Sequence, residues 1–182
     1  MKKKIDLGLI GETAVSLELM KMGYDVINLN TLRHNYQNID LICINPQTGK
    51  SISIQVKTGT TKNLMTGFVS EIDGTIPNLE EKVVGPWVFV RTDKEFKSMK
   101  FYVLTKEEIV GLIKTSNNWY VNEWNRKPTS KTLVGVYDYW LEGKGEEAKT
   151  DPKFKKQHKA YNNPLNNLTT KDKWDKITDL LR

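Results

Sequence analysis

Two short runs, Ile39-Asp40-Leu41-Ile42-Cys43-Ile44 and Ser51-Ile52-Ser53-Ile54-Gln55-Val56-Lys57, decide the fold together with the Asn45-Pro46-Gln47-Thr48-Gly49-Lys50 segment between them. Both runs are rich in β-branched residues, and the six residues between them are turn formers. Strands joined in this way make an antiparallel hairpin. Residues two apart on a strand share a face, so Gln55 and Lys57 project together while Ile52, Ile54 and Val56 point the other way. Polar groups on a half-buried strand need a partner. A divalent cation and a phosphate would supply one, and the hairpin brings Asp40, at the head of its first strand, and Gln55 onto neighbouring strands where both can reach one ion.

Upstream, residues 6–22 read as a helix. Gly8, Glu12, Val15, Leu19 and Met22 fall on one face, and Ile10, Ala14 and Leu17 form a second apolar line. A helix apolar on two faces is expected to be covered on both. Gly23 ends it, and Tyr24–Leu29 reads as a first strand. Downstream, residues 59–85 have few periodic apolar positions and are expected to hold loops and a short irregular helix. Strands follow at Trp87–Arg91 and Phe101–Leu104. Thr105-x-x-Glu108 is a capping box for a helix carrying Ile109, Leu112 and Ile113. Beyond Ser116, Trp119, Tyr120, Trp124, Tyr137, Tyr139 and Trp140 stand among polar residues; Trp119, Trp124, Trp140 and Trp174 read as packing for a C-terminal extension. Thr169-x-x-Asp172 is expected to cap a final amphipathic helix with Trp174, Ile177, Leu180 and Leu181. The expectation is an α/β fold with a mixed four- to five-stranded sheet flanked by helices. It forms a single domain over 1–182, with a core of about 6–116 and an aromatic-rich extension of about 117–182.

Composition narrows the function classes. The chain has 182 residues, 38% hydrophobic and 27% charged, enough for a full core. No stretch nears the roughly 18 consecutive apolar residues of a membrane span. Met1-Lys2-Lys3-Lys4 precedes a segment interrupted by Asp6 and Glu12, which lacks a secretory h-region. Cys43 is the sole cysteine, which excludes an internal disulfide and a cysteine-based zinc site. A cytoplasmic protein is the simplest reading. The net charge of +6 favours an anionic partner such as nucleic acid.

Taken singly, the polar candidates have plain explanations. Glu12 would complement the helix dipole, Asp40 would cap a loop amide, and Lys57 would be a solvated charge. Together they match the needs of phosphodiester hydrolysis, which are hard oxygen ligands, a bound water and a cation near the developing charge. Asp40, the Gln55 side-chain oxygen and the Val56 carbonyl can supply ligands, with Glu12 completing the shell directly or through water. Lys57 can orient the attacking water or offset the growing charge. His34 and His158 lack metal-ligand spacing and read as exposed. Arg33, His34, Asn35 and Tyr36 read as a solvated loop, Glu71 and Asp73 as surface, and the run from Lys153 to Lys159 as a solvated basic face.

On Gly11-Glu12, Ile39-Asp40 and Gln55-Val56-Lys57, with their order along the chain, the sequence resembles the PD-(D/E)XK nuclease superfamily over roughly residues 6–116. It is most similar to branches with Gln in the third motif, such as Mrr-type restriction endonucleases, and its helix-borne Glu resembles that of archaeal Holliday junction resolvases. The resemblance implies a restriction-endonuclease-like core and an endonuclease that hydrolyses DNA with a Mg²⁺-activated water. Glu12, Asp40, Gln55 and Lys57 would be its catalytic set, and Mn²⁺ could replace Mg²⁺. Gln55 stands where most relatives have an acid, so the site has one negative charge fewer. The alternative is a non-catalytic nucleic-acid-binding or interaction module on the same fold. A homodimer suits duplex cleavage, since two strands need two sites.

Overall fold

The structure is a computed structural model that describes residues 6–32, 38–123, 131–152 and 156–182, without the side chains of Leu32, Gln157 and His158. In chain order, α1 (Leu7–Lys21) leads into β1 (Asp25–Asn28), the one-turn α2 (Leu29–Leu32), β2 (Leu41–Ile44) and β3 (Ser51–Gly59). Then come β4 (Asn63–Ser70), α3 (Leu79–Lys82), β5 (Trp87–Thr92), β6 (Met99–Leu104) and α4 (Lys106–Glu123). The C-terminal third holds β7 (Thr132–Tyr137), α5 (Asp138–Leu141), α6 (Gly145–Thr150), α7 (Lys156–Lys159), α8 (Asp175–Thr178) and a 3₁₀ turn, Asp179–Leu181. None of the described helices is long and apolar enough to cross a membrane.

The central sheet has five strands in the order β1-β2-β3-β5-β6. The expected hairpin forms, with Leu41 opposite Ile54 and Ile44 opposite Ser51. Its turn closes through the Asn45 N–H to the Lys50 carbonyl, 2.9 Å. β3 then pairs in parallel with β5, Gln55 facing Trp87 and Lys57 facing Phe89. The sheet is therefore mixed, with helices on either side.

Alternation along β3 and β5 feeds two cores. On one face Ile54, Val56, Val88 and Val90 meet Val15 and Leu19 of α1, together with Ile177 and Leu181 from the chain's end. On the other, Trp87 and Phe89 meet Ile109, Leu112 and Ile113 of α4, with the aromatics of the C-terminal third. Trp140 and Tyr161 stack at 3.4 Å between centroids, and Trp119 meets Trp140 edge-on at 4.9 Å. Trp119 and Trp140 are buried, as a packing role requires, and Trp174 lies against Phe101. Trp124 and the Lys153-Phe154-Lys155 run lie outside the described residues.

Helix α1 begins where Asp6 Oδ1 accepts from the Leu9 N–H. It ends where Gly23 takes φ +89° and Tyr24 N–H reaches back to the Leu19 carbonyl. The Thr105–Glu108 box closes reciprocally, at 2.9 and 3.2 Å, and α4 runs without a break through residue 116 to Glu123.

Four expectations need correction. The 59–85 segment holds β4, which pairs with β7 in a separate two-stranded ribbon. The second apolar line of α1 is not covered, since Leu17 is 50% exposed. Met22, assigned to the first line, is exposed too. Thr169 caps no helix. The Thr170 carbonyl accepts from Val103 N–H and Asp172 N–H donates to Phe101, so this segment runs along the free edge of β6 and shields it.

Candidate functional site

Asp40 sits one residue before β2, level with Gln55, and is 7% exposed. Its position is fixed by backbone on both sides: its N–H donates to the Ile54 carbonyl at 3.0 Å, and its carbonyl accepts from Leu29 N–H at 2.9 Å. Both carboxylate oxygens are engaged. Oδ2 accepts from Val56 N–H at 2.7 Å and from Gln55 Nε2, and Oδ1 accepts from Asn30 Nδ2 at 3.0 Å.

Glu12 arrives from α1, and a glycine makes that approach feasible. A Cβ on Gly11 would lie 1.8 Å from Thr58 Oγ1, so only glycine lets the helix press this closely on β3. Glu12 Oε1 accepts from Asn30 Nδ2 at 2.9 Å, the same nitrogen that serves Asp40, and Oε2 accepts from Asn28 Nδ2 at 3.0 Å. Burial pushes the Glu12 carboxyl above its usual range. The Asn28 and Asn30 amides pull it back, and the charges of Asp40 and Asp6 add a further upward push.

Gln55 is buried, and its nitrogen faces Asp40. To ligate an ion beside Asp40 it must turn its amide over. Val56 meets Asp40 through its N–H, and because one strand residue sends N–H and C=O to the same edge, its carbonyl leaves on that edge as well. Lys57 shares the face of Gln55 and lines the same cleft, about 480 Å³, with Asn38, Gly67, Lys82 and Trp87. Its Nζ lies 5.7 Å from the centroid of the Trp87 ring and forms no ion pair among the described residues.

The structure thus brings Glu12, Asp40 and Gln55 into one hydrogen-bonded group, with Lys57 on the adjoining cleft wall. It also adds two residues that the motif reading passed over, Asn28 and Asn30. Alternation gave no signal for this pair, because Asn28 ends β1 and Asn30 lies in α2, where the two-residue period no longer applies.

The remaining candidates sit elsewhere. Glu71 pairs with Lys131 at 2.8 Å, and Asp73 closes a turn onto Thr75. Burial pushes the Cys43 thiol up to about 11, which leaves it a core side chain. Arg33, His34, Asn35, Tyr36 and the His158 side chain lie outside the described residues.

Among the described residues no three His, Cys, Asp or Glu side chains come together. The oxygens within reach are two carboxylates and the Val56 backbone carbonyl, joined by the Gln55 amide oxygen once that amide turns over. All are hard oxygens, the kind Mg²⁺ and Mn²⁺ take while retaining several waters. The set fits such a cation.

No protein-family model matches the chain, and no curated protein does. Among solved structures it is similar to that of a bacterial homing endonuclease, I-Ssp6803I, with 14% identity and a TM-score of 0.46. The match spans 95% of this chain and 91% of that one. A likeness of that degree carries no argument about activity. The fold and site define a mixed α/β protein with a buried carboxylate pair beside a lysine-lined cleft.

Proposed function

We propose that the chain is a metal-dependent DNA endonuclease of the PD-(D/E)XK type. The observation that carries this reading is the meeting of Glu12 and Asp40, from separate elements, on one amide nitrogen at the mouth of the β2–β3 hairpin. Nothing in packing alone calls for two buried carboxylates to be drawn together, since like charges in a poorly solvated place repel. A divalent cation reverses that cost, and when bound it supplies charge opposite the scissile phosphate and acidifies a water.

Glu12 and Asp40 would hold the cation, with the Val56 carbonyl on the same strand edge and the Gln55 oxygen after its amide turns. Lys57, which has no ion-pair partner among the described residues, carries its charge into the cleft, where it offsets charge growing on the phosphate or orients the attacking water. Asn38 and Lys82, on the same wall, suit contacts to a nucleic-acid backbone. Two copies related by a two-fold would address both strands of a duplex.

Incubation with supercoiled plasmid and Mg²⁺ or Mn²⁺ tests the reading. Cleavage is expected, reduced about 10²- to 10⁴-fold in Lys57→Ala. Cleavage undiminished by that substitution would place the activity in another site.

One observation favours a second reading, a nucleic-acid-binding module without catalysis. The Asp40 carboxylate already accepts from three donors, and Gln55 offers it a nitrogen. That reading expects salt-sensitive DNA binding that is indifferent to Asp40→Ala and to chelators. Loss of a DNA-cleaving activity on Asp40→Ala would dismiss it.

A further inference from the structure

We propose that Asn30 is a positioning residue for the cation. Its amide nitrogen keeps Glu12 and Asp40 together until an ion takes that place, and its side chain then swings aside. This rests on reading the two carboxylates as a cation pair.

The geometry assigns the role in three steps. First, the atom of Asn30 between the carboxylates has to be nitrogen, because both neighbours are acceptors. That nitrogen lies 2.9 Å from Glu12 Oε1 and 3.0 Å from Asp40 Oδ1. Hard cations sit about 2.0–2.6 Å from oxygen, so an ion bridging the same two oxygens occupies the same spot with both drawn slightly inward. The amide and the ion therefore exclude each other.

Second, only the side chain has to move. The backbone of Asn30 is held by its N–H to Asn28 Oδ1 at 2.9 Å, and Leu29 N–H is held on the Asp40 carbonyl. The second oxygen of Glu12 stays anchored on Asn28 Nδ2. Rotation of the Asn30 side chain about χ1 leaves all of these bonds intact. Third, the same rotation withdraws Nδ2 from between Glu12 Oε1 and Asp40 Oδ1, so the place it held is open to the ion.

The test is Mn²⁺ titration of the full chain, followed by electron paramagnetic resonance, for wild type, Asn30→Ala and Asp40→Asn. Wild type is expected to bind, Asp40→Asn to lose binding, and Asn30→Ala to bind about tenfold tighter, because the ion no longer displaces two charge-assisted hydrogen bonds. A permanent structural clamp makes the opposite demand: removing it loosens the carboxylates and weakens the ion. If wild type binds and Asp40→Asn does not, while Asn30→Ala is unchanged or weaker, the Asn30 role is overturned and the cation pair stands. If wild type binds no Mn²⁺, both are overturned. Should Asn30→Ala fail to fold, the side-chain amide resonances of Asn30 in the wild type decide. Movement on adding Mg²⁺ supports the displacement, and unmoved signals at saturating Mg²⁺ overturn it.

Discussion

Gly11 shows how one residue sets the chemistry of its neighbour. With hydrogen in place of Cβ, α1 lies close enough to β3 for Glu12 to reach round the end of the sheet to Asn30. Gly11→Ala would place a methyl 2.9 Å from Thr58 Cβ as well as 1.8 Å from its hydroxyl, so rotating the threonine does not relieve the overlap. The helix has to lift. A loss of about 1–3 kcal/mol is expected, read as a fall of several degrees in the thermal midpoint. An unchanged midpoint would mean that the contact opens freely. Glu12 and Asp40 were legible from the sequence because charged residues interrupted apolar patterns. Asn28 and Asn30 were not, because amides at the end of a short strand look like turn residues until the carboxylates they serve are in view.

At the scale of elements, alternation was a reliable guide where polarity followed burial. β2 obeys it, with Leu41 and Cys43 more deeply buried than Ile42 and Ile44, whereas β5 reads as a short apolar run buried on both faces. β4 does the reverse: its inward positions include Thr66 and Ser70, while Met65 and Val69 face outward. Gly67 breaks what pattern remains, with φ +84°. No periodicity argument finds such a strand, because its stability comes from pairing with β7, whose Leu133 is also exposed. The C-terminal third failed to read for a related reason. Its β7 pairs with β4, its 170–172 segment bonds to β6, and its charged groups find distant partners. Glu142, just after α5, illustrates this. Burial alone would raise its carboxyl, but Lys100 Nζ at 2.7 Å, the Tyr102 hydroxyl at 2.8 Å and Lys144 at 3.1 Å outweigh that and hold it down to about 2. A carboxyl lowered from 4.5 stabilises the fold above that value, and the contribution is lost as pH falls from 4.5 toward 2. The midpoint of wild type is therefore expected to drop more steeply across this range than that of Glu142→Gln. Parallel curves would contradict the assignment.

The whole molecule joins these scales. A sheet with β3 at its centre has one face on α1 and the other on α4, and the site lies where β2 stops short and β3 continues. That gap exposes one edge of β3 to Asp40, admits Glu12 from one side and leaves Lys57 to the cleft on the other. The mixed sheet was readable in the sequence because its strands are short, apolar and punctuated by turn formers. The separate ribbon and the reach of the C-terminal segment were not, since both depend on long-range pairing. The claim that binds the account is that Glu12 and Asp40 share one divalent ion. Calorimetric titration with Mn²⁺ tests it most directly. The account expects one ion per chain, markedly weaker binding in Glu12→Gln and none in Asp40→Asn. Binding of equal strength in wild type and Asp40→Asn would contradict it.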